Sequence, residues 1–258
     1  MHEALSVTPL IGMPLFREGT SVAAEVLASL ERMGMALQSG DVVVLAQKIV
    51  SKAEGRTVQL GSVVPDEADE DLARKADKPP AMARLIRDES SEIMRATPAA
   101  IIARHRTGHV LANAGIDASN VAGGEDETVL LWPLDPDGSA RAIRAELTAQ
   151  SGVAPGVVIA DSLGRAWRIG TVGTAIGCAG LTVLDDRRGK DQDLYGRTLQ
   201  ATVIAVADAV AAAAVLAMGE GAEGTPAVLV RGAGRWVGPE DGPGATSGIR
   251  PLNEDMFR

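Results

Sequence analysis

A short apolar run at residues 157–160, Val-Val-Ile-Ala, places the strongest limit on how this chain can fold. A run of this length and composition is typical of a β-strand that is buried on both faces. The run stops at Asp161 and Ser162. Open α/β sheets bind their ligands at the carboxyl ends of such strands. The sequence therefore predicts a buried strand with a polar site at its end.

The stretch that follows combines cations with glycines: Arg165, Arg168, Gly170, Gly173, Gly177 and Gly180. A glycine-rich loop can bring backbone N–H groups close to a phosphate. The alternative is that these glycines only permit close packing, and each residue taken singly favours that alternative. Because several compatible features lie together, we predict a phosphate and metal site in this stretch.

The formal net charge of -9 and the scarcity of aromatic residues argue against a nucleic-acid-binding protein. Nucleic acids are bound through clustered Lys and Arg side chains and stacked aromatic rings. Cys178 is the only cysteine, so disulfides and a cysteine-based zinc site are excluded, and we expect it to be buried. Neither a signal peptide nor a membrane span is predicted, so the expected location is cytoplasmic.

Strand-like and helix-like segments alternate, which predicts an α/β or α+β fold with mixed sheets and flanking helices. The predicted strands cover residues 5–10, 42–46, 100–103, 128–131, 157–160 and 227–230. The predicted helices cover residues 21–35, 66–76, 82–94, 140–150 and 199–218, and residues 135–139 are predicted to form a turn.

Two common nucleotide-binding motifs do not fit this chain. Gly219 and Gly224 have the P-loop glycine spacing, but Thr225 stands where the lysine would be. Gly232 and Gly234 follow a predicted strand, yet the residues after them do not have a helical pattern. We therefore expect neither a P-loop fold nor a Rossmann fold.

Two lysines come directly after the predicted strand at residues 42–46. Lys48 follows Gln47, and Lys52 lies four residues further on, so a helical turn would place both ammonium groups on one face. Ammonium groups at the end of a strand suit nucleotide phosphates. The alternative is a solvated lysine face, which the spacing alone favours.

A second polar cluster contains Asn113, Asp117 and Asn120 in turn-forming sequence. One interpretation is an Asx turn, in which the side chains bind their own backbone. The other is an oxygen-ligand site for a hard cation, with Asp117 as a ligand and Asn120 holding a nucleotide. His105 and His109 have no third His or Cys nearby in the sequence, so a zinc site is weakly supported.

Two strings in these regions are specific: ANAGIDASN at residues 112–120 and DSLGRAWRIGTVGTAIG at residues 161–177. Through them, and through shorter matches between residues 8 and 232, the chain resembles the coenzyme F420-0:L-glutamate ligase family. The resemblance implies a family-specific ligase fold with one ligase domain over residues 1–258. The nitroreductase-like domain that follows in some actinobacterial relatives is not expected here.

The resemblance implies GTP-dependent amide formation in coenzyme F420 biosynthesis. GTP would phosphorylate the terminal carboxylate of F420-0, and the amine of L-glutamate would displace phosphate from the acyl phosphate. A further glutamate could be added through the γ-carboxylate. One alternative is a ligase of the same fold that acts on a different phospho-acid. Another is a GTP-sensing module without turnover, against which Asp117, Asp161 and Lys52 argue.

By the same resemblance, Asp117, Asp161, Ser162 and Glu220 are expected to bind a divalent metal, Mn²⁺ or Mg²⁺, with a monovalent cation as an optional addition. The expected catalytic residues are Asp117, Asp161 and Lys52. The expected nucleotide contacts are Met13, Pro14, Leu15, Phe16, Gln47, Lys48, Lys52, Asn120, Ala217, Met218, Gly219, Glu220, Gly221, Ala222, Glu223 and Gly224.

The sequence departs from the family pattern at three positions. Leu163 and Ala166 stand where relatives usually carry Phe and Pro, and Tyr195 stands where Phe is common. None of these changes removes a charged group, so the expected activity is retained while the fit of the substrate could differ.

The resemblance also implies a homodimer, and the tail offers independent support. It carries five large apolar residues in a Gly- and Pro-rich setting: Trp236, Ile249, Leu252, Met256 and Phe257. Such a segment cannot build its own core, so we expect it to pack across a partner's surface. The alternative is a tail that folds back onto its own chain.

Overall fold

The structure, a computed structural model, describes residues 4–98, 100–119 and 128–255. The strands are β1 (Ser6–Pro9), β2 (Val42–Ala46), β3 (Thr57–Gln59), β4 (Ser90–Thr97), β5 (Ala100–His105), β6 (Val110–Ala112), β7 (Thr128–Leu130), β8 (Gly156–Arg165), β9 (Arg168–Ala179), β10 (Leu184–Asp186), β11 (Val203–Ala205) and β12 (Ala227–Arg231). The α-helices are α1 (Val22–Arg32), α2 (Gln47–Ala53), α3 (Glu67–Ala76), α4 (Pro80–Asp88), α5 (Pro136–Ser151) and α6 (Val206–Met218).

The central element is a five-stranded mixed sheet with the order β1-β12-β2-β8-β9. Only β2 and β8 pair in parallel among the described strands of this sheet. Val43 and Leu45 point to the face covered by α1 and α5, whereas Val42 and Val44 point to the face covered by α6. Because both faces are covered, these strands read as continuous apolar runs, as the sequence predicted.

A second apolar core lies beside the main sheet. In it, α3 and α4 pack against the antiparallel sheet β4-β5-β6 and against β7, which pairs with β3. The strands β10 and β11 form a separate two-stranded arm. This arrangement of mixed sheets flanked by helices is the α/β class expected from the sequence, and it is neither a P-loop nor a Rossmann fold. No helix in the described ranges is both long and apolar enough to cross a membrane.

The predicted glycine-rich loop after residue 160 is wrong. The strand β8 continues to Arg165, and β9 returns antiparallel to it, so that Asp161 pairs with Thr174 inside a hairpin. A side chain at Gly173 would overlap the Ala211 carbonyl of α6. A side chain at Gly177 would likewise overlap the carbonyl of Pro136 in α5. These glycines therefore let helices approach both faces of the hairpin, which is the packing alternative that the sequence left open.

Three other boundaries differ from the sequence prediction. The predicted helix at residues 82–94 ends at Asp88, because residues 90–97 pair with β5, and this tertiary pairing overrides local propensity. The helix predicted from residue 199 begins at Val206, since residues 203–205 pair with β10. The predicted turn at residues 135–139 is the first turn of α5, which has Pro136 at its first position and Asp135 as its cap.

Candidate active site

The parallel pairing of β2 with β8 assembles the candidate site. Their register places Ala46 beside Ala160, so the residues that follow each of them become neighbours. The helix α2 starts immediately after β2 at Gln47, whereas β8 continues into Asp161. A helix start and a strand carboxylate therefore meet at one edge of the described sheet.

A cavity of about 420 Å³ opens at this edge. Four segments that are far apart in the sequence line it, and these segments carry most of the predicted site. The predicted residues in its wall are Met13, Pro14, Leu15, Phe16, Gln47, Lys48, Lys52, Asp161, Ser162, Met218, Gly219, Glu220, Gly221, Ala222, Glu223 and Gly224. Ala217 instead packs against the apolar core under α6. Asn120 lies outside the described residues.

Asp117 reaches the cavity through an ion pair. Its Oδ2 lies 2.6 Å from the Lys48 Nζ, which also donates to the Ser119 Oγ at 2.6 Å. Its Oδ1 accepts the Ser119 backbone N–H at 2.6 Å, which is the Asx turn that the sequence offered as one interpretation. Burial pushes the pKa of Asp117 up, but the Lys48 and Ser119 hydrogen bonds outweigh it and leave the pKa below its ordinary value. The local turn thus presents a carboxylate beside a cavity lysine.

Two hydrogen-bond donors hold the Asp161 carboxylate, but its buried surroundings disfavour its ionised form. The Trp132 indole N–H donates to its Oδ2 at 2.8 Å, and the Ser162 backbone N–H donates to its Oδ1 at 2.8 Å. Burial nevertheless raises the pKa of Asp161 to about 6, and the nearby Asp117 charge acts in the same direction. A cation beside Asp161 would favour its ionised form.

Trp132 is the residue of this site that sequence reasoning missed. Its ring is fully buried and its N–H points at Asp161. Gly115 adopts φ +73, in the left-handed region that strains residues with a side chain, and a side chain there would overlap the Trp132 indole. A signal was present, because a buried Trp usually needs a partner for its N–H. The glycine of the ANAGIDASN string therefore makes room for the ring that orients Asp161.

Lys52 and Gln47 add one cation and one hydrogen-bond acceptor to the cavity wall. Burial lowers the pKa of Lys52, and the Lys48 charge adds to this effect, while Asp117 opposes it. The Gln47 side chain is buried and donates to the Ser51 Oγ at 2.5 Å. Its Oε1 has no hydrogen-bond partner among the described residues. A buried polar atom of this kind suits a ligand donor group.

The acidic residues can be tested for fit to a divalent metal. Among the described residues, no three His, Cys, Asp or Glu side chains come close enough together to form a ligand cluster. Asp117 and Asp161 interact electrostatically, Ser162 lines the cavity, and Glu220 lines its far wall. Two carboxylates with a hydroxyl are the oxygen donors that Mg²⁺ and Mn²⁺ prefer when substrate oxygens complete the shell. The donor set therefore fits a divalent ion that is shared with a phosphate ligand.

The two histidines lie below this site and hydrogen-bond through a shared threonine. The Thr107 Oγ1 is 2.9 Å from the Nδ1 of both His105 and His109. Both rings pack against Trp132, with ring centroids 4.8 Å and 5.4 Å away. Burial lowers the pKa of His109, which favours a neutral ring. These histidines form the packing layer beneath the tryptophan.

Comparison with known proteins gives concordant matches. The family model described as F420-0:Gamma-glutamyl ligase matches residues 10–232. The chain is 42% identical over 254 residues to the coenzyme F420:L-glutamate ligase of Methanothermobacter thermautotrophicus. This alignment covers 98% of this chain and 99% of the relative. The chain is 44% identical over 236 residues to the protein of the same name from Methanopyrus kandleri, covering 90% and 91% of the two chains. The matched region contains all four segments around the cavity, and the chain belongs to the F420-0:gamma-glutamyl ligase family.

Proposed function

We propose that this chain is a GTP-dependent ligase that joins L-glutamate to coenzyme F420-0 through an amide bond. The observation that carries the proposal is the meeting of Lys48, Lys52 and Asp161 in one cavity, with Asp117 paired to the first lysine. Cations and carboxylates together are what phosphoryl transfer to a carboxylate requires. The relatives' name, coenzyme F420:L-glutamate ligase, supplies the identity of the substrates.

The nucleotide would occupy the cavity with its phosphates towards α2. Lys48 and Lys52 would neutralise phosphate charge, and the unpartnered Gln47 Oε1 would accept a hydrogen bond from the ligand. The turn at residues 13–16 presents Leu15 to solvent at the rim, where an apolar side chain can cover a base. The turn at residues 219–224 forms the opposite wall.

Asp117, Asp161, Ser162 and Glu220 would hold a divalent metal, Mn²⁺ or Mg²⁺. When bound, the metal would supply charge neutralisation on the phosphate oxygens. The protein's own residues do the rest. Trp132 fixes the orientation of Asp161 through its N–H. The acyl phosphate would need shielding from water, which would otherwise hydrolyse it.

The proposed reaction is balanced in two steps. The F420-0 carboxylate attacks the γ-phosphorus of GTP, and GDP leaves, which forms a mixed anhydride. The amine of L-glutamate then attacks the acyl carbon and phosphate leaves. Lys52 is suited to hold the transferred phosphoryl group, because its partly buried ammonium faces the cavity and is not surrounded by bulk water.

Mass spectrometry tests this proposal. The protein is incubated with F420-0, L-glutamate, GTP and either Mn²⁺ or Mg²⁺, with ATP in place of GTP as the control. We expect F420-0 to gain one or more glutamyl residues, with GDP and phosphate released in equal amounts. GTP turnover that depends on another phospho-acid would favour the alternative acceptor. GTP binding without turnover for any acceptor would contradict ligase activity.

A further inference from the structure

A second cavity, of about 350 Å³, lies beside β9, which is an edge strand of the main sheet. Residues of both charges line it, namely Arg104, Arg250, Asp208 and Asp255. Its volume is within the range of pockets that bind small molecules. The cavity shares no lining residue with the nucleotide cavity described above.

Two connections relate this second cavity to Asp161. Thr174, in its wall, is the cross-strand register partner of Asp161, and paired residues of antiparallel strands lie about 4.5–5.5 Å apart at their Cα atoms. His109, also in the wall, packs edge-on against the Trp132 ring that donates to Asp161. The second cavity therefore borders the residues that hold Asp161, most directly through Thr174.

Arg104 is the buried arginine of this cavity, whereas Arg250 is exposed. Arg104 is 8% exposed, and its Nε has no hydrogen-bond partner among the described residues. The Nε lies 3.6 Å from the Glu92 carboxylate, and the other two guanidinium nitrogens contact the Gly108 carbonyl at 3.3 Å and Asp255 at 3.4 Å. A buried guanidinium is costly unless it is well bonded, and a carboxylate can bind it in a bidentate manner.

We propose that this second cavity binds the amino-acid acceptor, an α-amino acid with two carboxylates. The assignment rests on the proposed ligase function. Arg104 and Arg250 would bind the carboxylates, and Asp208 would bind the ammonium group. A nucleotide triphosphate fits less well, because Asp208 and Asp255 would repel its phosphates, whereas a zwitterion matches both signs of charge.

The placement suits the second step of the reaction. The acceptor nitrogen bonds to the acyl carbon, the carbon–phosphate oxygen bond breaks, and the ammonium nitrogen gives up two protons, one to the departing phosphate and one to solvent. With the nucleotide in one cavity and the acceptor in the other, the acceptor amino group would have to extend past Thr174 to reach the acyl carbon beside Asp161. Leu163, where relatives usually carry Phe, lies in the acceptor wall.

Steady-state kinetics of Arg250→Gln test the assignment, with Arg141→Gln as the matched control. Arg250 is exposed at the rim, so its replacement should leave the fold intact, and Arg141 is an exposed arginine of α5 outside both cavities. We expect the KM for L-glutamate to rise at least roughly tenfold in Arg250→Gln, while the KM for GTP changes less than about twofold. The control should match the wild type in both constants.

A second variant and an earlier step separate this inference from the proposed function. Arg104→Lys keeps the positive charge but removes the guanidinium group that can bind a carboxylate through two hydrogen bonds, and it should also raise the KM for L-glutamate. Positional isotope exchange in GTP, driven by F420-0 without glutamate, reports the first step alone and should persist in both variants. If the wild type shows neither exchange nor product, the proposed function fails. If the wild type is active and both variants keep its KM for L-glutamate, the acceptor site is wrong and the proposed function stands.

Discussion

At the scale of single residues, Asp161 is the group whose surroundings most oppose its charge. Burial raises its pKa to about 6 even though Trp132 and the Ser162 backbone donate to it. Asp161→Asn retains the size of the side chain and removes the charge that a metal ion would need. We expect this variant to keep its melting temperature and lose turnover by roughly 100-fold or more. Asp77→Asn, at an exposed turn, is the control, and a near-wild-type rate for Asp161→Asn would remove the metal assignment.

Lys52 is the second residue whose role can be isolated. Lys48 and Lys52 are both half-buried, and burial together with the Lys48 charge lowers the pKa of Lys52. Lys52→Ala should raise the KM for GTP or lower kcat by roughly 10- to 100-fold, because a phosphate contact is lost. Lys75→Ala, on an exposed face of α3, should change neither constant. An unchanged GTP titration for Lys52→Ala would return this lysine to the solvated-face interpretation.

At the scale of elements, the β8–β9 hairpin depends on glycines that face helices. Gly173→Ala would drive a methyl group into the backbone of α6, and overpacking of this kind destabilises by about 1–3 kcal/mol. Gly164→Ala is the matched control on the same hairpin, since no heavy atom lies within 4 Å of the added carbon. Urea unfolding monitored by circular dichroism compares the two. Equal free energies of unfolding would contradict the packing role of Gly173.

At the scale of the whole molecule, Glu89 joins the second core to the main body. It pairs with Arg56, whose Nε donates to the Trp132 carbonyl at 2.8 Å, and with Arg106. Burial raises the pKa of Glu89, but the neighbouring His105 ring, hydrogen bonding from Arg106 and the Arg56 charge outweigh burial and lower this pKa to about 2. This pKa is lower in the folded protein than in the unfolded chain, where it is near 4.5. The contribution of Glu89 to the free energy of unfolding is therefore complete above pH 4.5 and is lost as the pH falls towards 2.

Replacement of Glu89 should therefore make the free energy of unfolding fall less steeply as the pH is lowered. We expect Glu89→Gln to lower the free energy of unfolding at pH 6 by roughly 1–2 kcal/mol, since water still screens part of the carboxylate. At pH 3 the difference from the wild type should shrink. Urea titrations at the two pH values measure this, with Glu70→Gln on α3 as the exposed control. A difference that stays constant between pH 6 and pH 3 would argue against the pairing.

The homodimer remains a prediction, but the surface expected to form it changes. The first part of the tail packs on its own chain, because Trp236 rests on the α6 core and its carbonyl accepts the Thr182 N–H, whereas Leu252 is 54% exposed. Met256 and Phe257 lie outside the described residues. Two pairs of large apolar side chains project fully instead, Trp167 and Ile169 at the hairpin tip and Leu194 and Tyr195 near the arm, each at least 87% exposed. Apolar side chains that lie together on an exposed surface mark interaction sites, so we expect these two pairs to form the contact surface.

Light scattering at micromolar concentration tests the dimer and its surface together. We expect a mass of twice the 26.6 kDa chain, and a shift towards one chain in Leu194→Asp. Val64→Asp, at a similarly exposed apolar position away from both hairpins, should remain a dimer. A wild-type mass of 26.6 kDa that GTP and metal leave unchanged would contradict the dimer.

The sequence by itself determined four of the five strands of the main sheet, the capped start of α1 and most residues of the candidate site. Apolar runs such as residues 42–46 and 227–230 need burial on both faces, and this need is local information. The same holds for Ser21, whose Oγ accepts the Ala24 N–H at the start of α1. The site residues followed from the family resemblance, which identified the segments of the site but not the distances between their side chains.

Only the tertiary structure decided the hairpin, the end of α4 and the partner of Asp161. A glycine has the same sequence signature in a loop as beneath a helix, so Gly173 could not be assigned until α6 lay against it. Residues 90–97 became a strand because β5 was available to pair with them. Trp132 meets Asp161 across 29 residues of chain, and such a contact depends on how the elements pack, which no local pattern encodes.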